Sequence, residues 1–190
     1  MWTGSKPVAM RFFRESSLEQ LPVSIAGIKL GDRLLMLGAG DPKLLAQLAV
    51  KTGLTGRACI VDDDAARIER VGEVAAREGA LVETITAPFA QLPVDDASFD
   101  VAIVRDALST QDSTAREGIV RELVRALRPG GRCLVIDGGR RALGGLLSRG
   151  SVQPDYDAVA SLERAAFRAV RIVAERDGLR FVEGVKENLR

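Results

Sequence analysis

Apolar and polar positions along the chain follow two periods, one typical of buried strands and one typical of amphipathic helices. Short apolar runs predict strands at about 33–37, 57–62, 81–86, 99–104 and 132–137. Between them, apolar residues at helical spacing predict helices at about 42–52, 64–78 and 113–127. This repeated strand–helix order indicates an α/β fold whose parallel strands are joined by right-handed crossovers.

The two ends of the chain have different patterns. Residues 16–28 suggest a short helix or turn interrupted by Pro22, residues 138–154 read as a Gly-, Arg- and Ser-rich loop, and residues 155–167 suit a helix. The alternating runs 168–175 and 179–186 are joined by Arg-Asp-Gly, which is typical of an antiparallel hairpin. We therefore expect one domain over residues 1–190, made of an N-terminal arm (1–28), a core (29–137), and a loop, helix and edge hairpin (138–190).

The junction after the first predicted strand carries a Gly-x-Gly turn. Gly38 and Gly40 lack a Cβ, so a ligand can approach the main chain there. Asp41 is placed to cap the following helix, with Pro42 at its first position. The same pattern is equally typical of a tight strand-to-helix turn without any ligand, and both interpretations remain open at this point.

Composition excludes several classes of function. With 27 basic and 26 acidic residues, no charged field favours nucleic acid or an anionic membrane surface. No run reaches membrane-spanning length and no apolar signal core follows the first basic residues, so we expect a cytoplasmic protein. The absence of histidine removes the commonest general base and most zinc sites. Cys59 and Cys133 lie in apolar runs and are expected to be small buried hydrophobic residues rather than metal ligands.

Three segments together resemble the class I S-adenosylmethionine-dependent methyltransferases, in particular the small bacterial enzymes of methyltransferase type 11. Residues 34–40 are similar to the family's glycine-rich first motif, and residues 92–104 to its fourth strand and the lead-in to that strand. Residues 122–132, Glu-Leu-Val-Arg-Ala-Leu-Arg-Pro-Gly-Gly-Arg, are the most specific match. The resemblance spans about residues 25–186. It implies a Rossmann-like, doubly wound, mostly parallel seven-stranded sheet with an antiparallel C-terminal hairpin, and S-adenosyl-L-methionine across the carboxyl ends of strands one to four.

The resemblance also assigns candidate site residues. Asp62 is the candidate ligand of the ribose hydroxyls, and the alternative is a helix cap within the Asp62–Asp64 run, for which Asp64 is best placed. Asp106 is the candidate catalytic residue that orients or deprotonates an acceptor, with Arg105 pairing with it or with an anionic substrate. The alternative there is a solvent-facing ion pair of little energetic value. The full set of candidate cofactor-binding residues is Gly38, Ala39, Gly40, Asp41, Asp62, Asp63, Phe89 and Arg105.

Three positions depart from the family pattern. Met36 stands where the family has an acidic residue, Pro42 where it has a third glycine, and Pro88 where a carboxylate meets the adenine. Asp41 is then the candidate partner of the methionyl ammonium, and Phe89 with backbone N–H groups the candidate adenine contact, although core packing suits Phe89 equally. Two functions stay open: a methyltransferase with a variant cofactor site, or a non-catalytic partner or scaffold subunit with weakened cofactor binding.

The acceptor is expected to be a small molecule, because no added substrate domain is visible. Three loop arginines hint at an anionic group, although solvated arginines are commoner in such loops: Arg140, Arg141 and Arg149. Apolar residues of the N-terminal arm are candidates for a lid over the cofactor, for packing on the sheet, or for contact with a second copy in a homodimer: Trp2, Met10, Phe12 and Phe13.

Overall fold

The computed structural model describes residues 21–138, 152–176 and 178–188 of the chain. In chain order the elements are α1 (21–26), β1 (Arg33–Leu37), α2 (Pro42–Thr52), β2 (Arg57–Asp62), α3 (Ala65–Arg77), β3 (Glu83–Thr86), β4 (Phe99–Arg105), α4 (Ser113–Ala126), β5 (Leu127–Gly138), α5 (Ala158–Glu163), β6 (Phe167–Arg176) and β7 (Leu179–Lys186).

Within these residues, seven strands form one sheet in the order β3-β2-β1-β4-β5-β7-β6. Strands β1 to β5 run parallel, and β7 pairs antiparallel with both β5 and β6. This topology confirms the predicted fold class, including the hairpin at the sheet edge. Because β1 and β4 lie side by side while the chain leaves them in opposite directions, the crevice at their carboxyl ends is the topological switch point, where ligands bind in open α/β sheets.

Capping side chains fix the helices on either side of β2 as predicted. The Asp41 carboxylate accepts a hydrogen bond from the Leu44 N–H at 3.2 Å, and Pro42 occupies the first helical position of α2. Asp64 caps α3 by accepting from the N–H groups of its second and third residues. Asp64 is therefore the capping residue of the acidic run, as expected, and the bounds of β1, α2 and β2 agree with the pattern.

Other boundaries differ from the predictions. Strand β3 begins at Glu83 instead of residue 81, and β5 begins at Leu127 instead of residue 132. Helix α4 begins at Ser113 as expected, with Asp112 as its cap, and ends at Ala126 instead of residue 127. Helix α5 is much shorter than 155–167, because Asp157 caps its N-terminus and Phe167 already begins β6 as a buried strand residue.

The sheet has an apolar core on each face. Alternate residues of β1 supply both cores, since Leu34 and Met36 pack with α1, α2 and α3, whereas Leu35 and Leu37 pack on the side of α4 and α5. Met36 is fully buried and thus adds no polar group at the family's acidic position. Cys59 and Cys133 are buried as predicted, and burial raises the pKa of each thiol to about 12.

Several predictions concern residues outside the described parts of the chain. The arm and loop residues lie outside the described residues, namely Trp2, Met10, Phe12, Phe13, Arg140, Arg141 and Arg149. Residues 21–26 are helical and include Pro22, while residues 16–20 are likewise outside the description. In the part of the chain that is described, no helix has both the length and the apolar character needed to span a membrane.

Candidate functional site

The turn after β1 contains two glycines with different roles. Gly38 has φ +94°, a left-handed conformation that favours glycine, and a Cβ on it would collide with the carbonyl oxygen of Arg105. Its N–H donates to the Val61 carbonyl at 3.0 Å. Gly38 is therefore needed by the fold itself, because the turn packs directly against the end of β4.

Gly40 is in the opposite situation. A Cβ built on Gly40 meets no atom of the described residues within 4 Å. The turn thus leaves space beside its main chain at the carboxyl end of β1. This is the part of the Gly-x-Gly pattern that a ligand, rather than the fold, would require.

Asp62, at the end of β2, is fully buried and supports this turn. Its Oδ2 accepts a hydrogen bond from the Ala39 N–H at 2.6 Å, and its Oδ1 accepts from the Asp64 N–H at 2.9 Å. Arg67 Nη2 lies 3.0 Å from Oδ1. Burial raises the pKa of Asp62, opposed by the two backbone N–H groups and by Arg67. A ribose hydroxyl would have to share or displace one of these donors, and ribose binding by Asp62 stays a prediction.

Asp63 and Phe89, two further candidate cofactor-binding residues, have identifiable contacts. Asp63 is exposed and forms an ion pair with Arg67 at 2.9 Å, so that Arg67 contacts all three acidic residues of the run. Phe89 is 8% exposed and belongs to the apolar core on the side of α4 and α5. Its ring is thus used in packing. Adenine contact by Phe89 and cofactor binding by Asp63 stay predictions.

The end of β4 presents a buried arginine and a strained aspartate. Arg105 is 8% exposed and its Nε lies 3.4 Å from Asp106 Oδ2, so the arginine of this ion pair is buried while the aspartate side chain is 39% exposed. Arg105 Nη1 is buried and has no hydrogen-bond partner among the described residues. Asp106 has φ +54°, which is rare for a non-glycine residue, and its Oδ1 accepts from the Gly138 N–H at 3.1 Å. Asp106 therefore ties the end of β4 to the end of β5.

The structure adds two residues that the sequence did not single out. The Tyr156 hydroxyl donates to Asp137 Oδ2 at 2.6 Å, and Asp137 Oδ1 is buried without a hydrogen-bond partner in the described chain. Burial raises the pKa of Asp137 to about 6, opposed by the Tyr156 hydrogen bond. No local pattern links residues 19 positions apart; the one available signal was an aspartate at the end of the fifth predicted strand.

The carboxyl edge of the sheet therefore has two polar walls on either side of the switch point. We call the turn Gly38–Asp41 with Asp62 the glycine wall. We call Arg105, Asp106, Asp137 and Tyr156 the polar wall. The first offers space at the Gly40 Cα and the second offers ionisable side chains, so the edge can hold a nucleoside-like group beside a group that exchanges a proton.

Comparison with protein families gives a match over the middle of the chain. Residues 35–135, more than half of the sequence, match a family model described as "Methyltransferase domain". The matched region contains the glycine wall and, from the polar wall, Arg105 and Asp106.

Curated relatives are quinone-biosynthesis enzymes. The chain is 28% identical over 118 residues to the ubiquinone/menaquinone biosynthesis C-methyltransferase UbiE of Idiomarina loihiensis, covering 60% of this chain and 46% of that protein. The UbiE of Pseudomonas fluorescens is 26% identical over 121 residues, covering 63% and 46%. The chain thus spans about half the length of these curated relatives.

Solved structures share the fold. A SAM-dependent methyltransferase from Aquifex aeolicus superposes with a TM-score of 0.71 at 20% identity, covering 96% of this chain and 99% of that one. The [4+2]-cyclase SpnF also gives 0.71, at 18% identity over 91% of this chain and 81% of that one. At these identities the likeness concerns the fold alone.

Proposed function

This chain belongs to the methyltransferase domain family, and from that premise we propose that it transfers a methyl group from S-adenosyl-L-methionine to a small-molecule acceptor. The observation that carries the proposal is the open space where a Gly40 Cβ would lie, in which no atom of the described residues comes within 4 Å. It lies beside the switch point between β1 and β4, where this fold binds nucleotides.

The residues of both walls suit the chemistry of this cofactor. The backbone of Gly38–Gly40 would lie against the adenosyl group, with the Asp62 carboxylate next to the ribose. Asp41 would attract the methionyl ammonium, and the unpartnered Nη1 of Arg105 would pair with the methionyl carboxylate. Because S-adenosylmethionine has no phosphate, the acidic cap of α2 does not repel it. When bound, the cofactor supplies a methyl carbon on a positively charged sulfur, which leaves positioning as the main task of the protein.

The proposal extends to the kind of atom that accepts the methyl group. Both relatives described above are C-methyltransferases. Their names support a carbon atom of a small molecule as the acceptor. A carbon acceptor must lose a proton in the course of the reaction, so this version of the proposal needs a proton-accepting group near the switch point.

A second candidate is the non-catalytic subunit. Asp62, the expected ribose ligand, already has two backbone donors and an arginine, and Met36 replaces the family's acidic side chain with a buried apolar one. The likeness to a [4+2]-cyclase adds that this fold also serves other reactions. Weak or absent cofactor binding would favour this candidate.

Calorimetric titration separates the two candidates. The full chain is titrated with S-adenosylmethionine, with its demethylated product S-adenosylhomocysteine, and with adenosine diphosphate as a control. We expect one-to-one binding of the first two and none of the diphosphate, because Asp41 repels phosphate at the N-terminus of α2. Absence of binding by either sulfur nucleoside would select the non-catalytic subunit.

A further inference from the structure

The Asp137–Tyr156 pair is a half-buried acid–phenol pair for which the fold has no evident need. A buried carboxylate normally accepts several hydrogen bonds, whereas Asp137 accepts one, from the Tyr156 hydroxyl at 2.6 Å, among the described residues. Its other oxygen is shielded from solvent and unpartnered. Such an under-solvated carboxylate has a high affinity for a proton.

Backbone contacts hold the pair against the segment after β4. The Gln153 N–H donates to the Ser109 carbonyl at 2.9 Å, and the Tyr156 N–H donates to the Gln153 carbonyl at 3.1 Å. On the other side, the Gly138 N–H donates to the Asp106 carboxylate. Three chain segments thus converge on the polar wall, which includes Asp106, the residue that the family resemblance assigned to the acceptor.

Charged groups from every neighbouring element act on the pair. Asp137 is influenced by Arg105 and Asp106 at the end of β4 and by Arg180 on β7. On the side of α4, the Arg116 guanidinium lies 5.1 Å above the ring of Tyr156 and is itself 4% exposed. Arg116 also pairs with Asp155 at 3.4 Å. Burial and Asp137 raise the pKa of Tyr156, so this hydroxyl keeps its proton unless another proton replaces it.

We propose that the Asp137–Tyr156 pair takes up the proton of the methyl acceptor, and that this acceptor carries an ionisable hydroxyl, as in a phenol or an enol. The inference rests on the proposed function. The O–H bond of the acceptor breaks and its proton bonds to Tyr156 Oη, while the proton of Tyr156 crosses to Asp137 Oδ2. The electron pair stays on the acceptor, so one negative charge moves from Asp137 to the acceptor. The resulting anion attacks the methyl carbon through oxygen or through a conjugated carbon, and the proton on Asp137 returns to solvent after release of the product.

This assignment distinguishes acceptor classes. A phenol or enol is a poor nucleophile until its hydroxyl is ionised, so it needs a base before transfer. A neutral amine already has a free electron pair and loses its proton only afterwards. Tyr156 is the contacting residue in this assignment, and Asp137 is the proton acceptor behind it.

The decisive experiment follows methyl transfer from isotopically labelled S-adenosylmethionine to matched probes. The probes are 1-naphthol, catechol and acetylacetone as hydroxyl acids, with 1-naphthylamine as the amine counterpart of 1-naphthol. Wild-type protein is compared with Asp137→Asn and Tyr156→Phe, and with Glu163→Gln as a control that changes an exposed carboxylate on α5. Affinity for S-adenosylhomocysteine is measured for each variant, which separates loss of proton transfer from loss of cofactor binding.

We expect transfer to hydroxyl probes, with kcat rising to a plateau as the pH passes through about 6. Asp137→Asn should lower kcat by roughly 100-fold, leave KM within about twofold and abolish this rise. Tyr156→Phe should lower kcat by a similar factor, and Glu163→Gln should change neither constant. The idea fails if a protein that binds S-adenosylhomocysteine methylates only the amine or none of the probes, or if Asp137→Asn keeps the wild-type pH profile.

A spectroscopic measurement tests the pair without any acceptor. Tyr156 is the only tyrosine in the chain, so ring-labelled tyrosine gives one ¹³Cζ resonance. We expect this resonance to titrate with a midpoint near 6 in the wild type and to lose that transition in Asp137→Asn. A flat wild-type titration would contradict the proposed proton exchange.

Discussion

The two walls each contain an aspartate at the carboxyl edge of the sheet, and the two carboxylates have contrasting partners. Asp62 in the glycine wall accepts from two backbone N–H groups and contacts Arg67. Asp137 in the polar wall accepts from one phenol hydroxyl and keeps an unpartnered oxygen. Burial raises the pKa of both carboxylates, but the first supports a turn through two backbone N–H groups, whereas the second accepts from a single phenol hydroxyl among the described residues.

This contrast distinguishes a carboxylate that stabilises the backbone from one that can exchange a proton. A carboxylate that is fully hydrogen-bonded within the protein resists change, because any new ligand must replace a partner of similar strength. A carboxylate that lacks partners gains from every proton or donor that arrives. Removing the Asp62 carboxylate should therefore lower stability more than activity, whereas removing the Asp137 carboxylate should lower activity more than stability.

The largest expected effect is on stability at Asp62. Asp62→Ala leaves two backbone N–H groups without their buried acceptor and removes one of the three carboxylates that Arg67 contacts, so we expect the free energy of unfolding to fall by about 4 kcal/mol. The same substitution at Asp137 removes one hydrogen bond together with an under-solvated charge, and should cost about 1 kcal/mol at pH 7. Urea unfolding of both variants measures the difference. Equal losses would show that the two carboxylates are equivalent in the fold.

The second largest effect is on the pH dependence of the free energy of unfolding. The pKa of Asp137 is about 6 in the folded protein and near its ordinary value of 3.8 in the unfolded chain. Between these values the folded state holds a proton that the unfolded state has lost, so this contribution is fully present below pH 3.8 and is lost as the pH rises through 6. The Asp137→Asn variant lacks this pH-dependent contribution. Its free energy of unfolding relative to the wild type should therefore rise by ~2–3 kcal/mol between pH 4 and 7. Unfolding curves at several pH values check this, and a constant difference would refute it.

Most of the glycine wall could be predicted from sequence because it is local. Strand β1, the turn and the caps of α2 and α3 lie within about 30 residues, and each depends on short-range rules for strands, glycines and capping side chains. The hairpin of β6 and β7 was predictable for the same reason. Even here the sequence did not separate Gly38, which the neighbouring strand β4 requires, from Gly40, since that distinction depends on a tertiary contact.

The polar wall was predictable only in part. The family resemblance assigned Asp106, which comes directly after the fourth strand, but Tyr156 and Asp137 meet across 19 residues. The helical pattern at 155–167 also hid Tyr156, because the residue lies just before the cap of a shorter α5. A pair formed by long-range packing leaves no periodic signal in the sequence.

The third prediction compares the two glycines of the turn. Gly38→Ala combines a left-handed φ with a collision against the Arg105 carbonyl, so we expect a loss of about 2 kcal/mol in the free energy of unfolding. Gly40→Ala should change stability by less than about 0.5 kcal/mol, because its Cβ meets no described atom. The same substitution should weaken S-adenosylhomocysteine binding by ~20-fold in calorimetry. A stable Gly40→Ala protein with wild-type affinity would remove the glycine wall as the cofactor site.

The smallest effect tests whether Arg105, a residue of the polar wall, also contacts the cofactor. Its backbone packs on Gly38, its Nε contacts Asp106, and its Nη1 is unpartnered among the described residues. If that Nη1 pairs with the methionyl carboxylate, Arg105→Gln should weaken S-adenosylhomocysteine binding by ~10-fold, or about 1.4 kcal/mol. Binding of methylthioadenosine, which lacks the amino-acid group, should stay unchanged and serves as the matched control. Equal weakening of both ligands would indicate that Arg105 acts through the turn, while unchanged binding of both would contradict its pairing with the methionyl carboxylate.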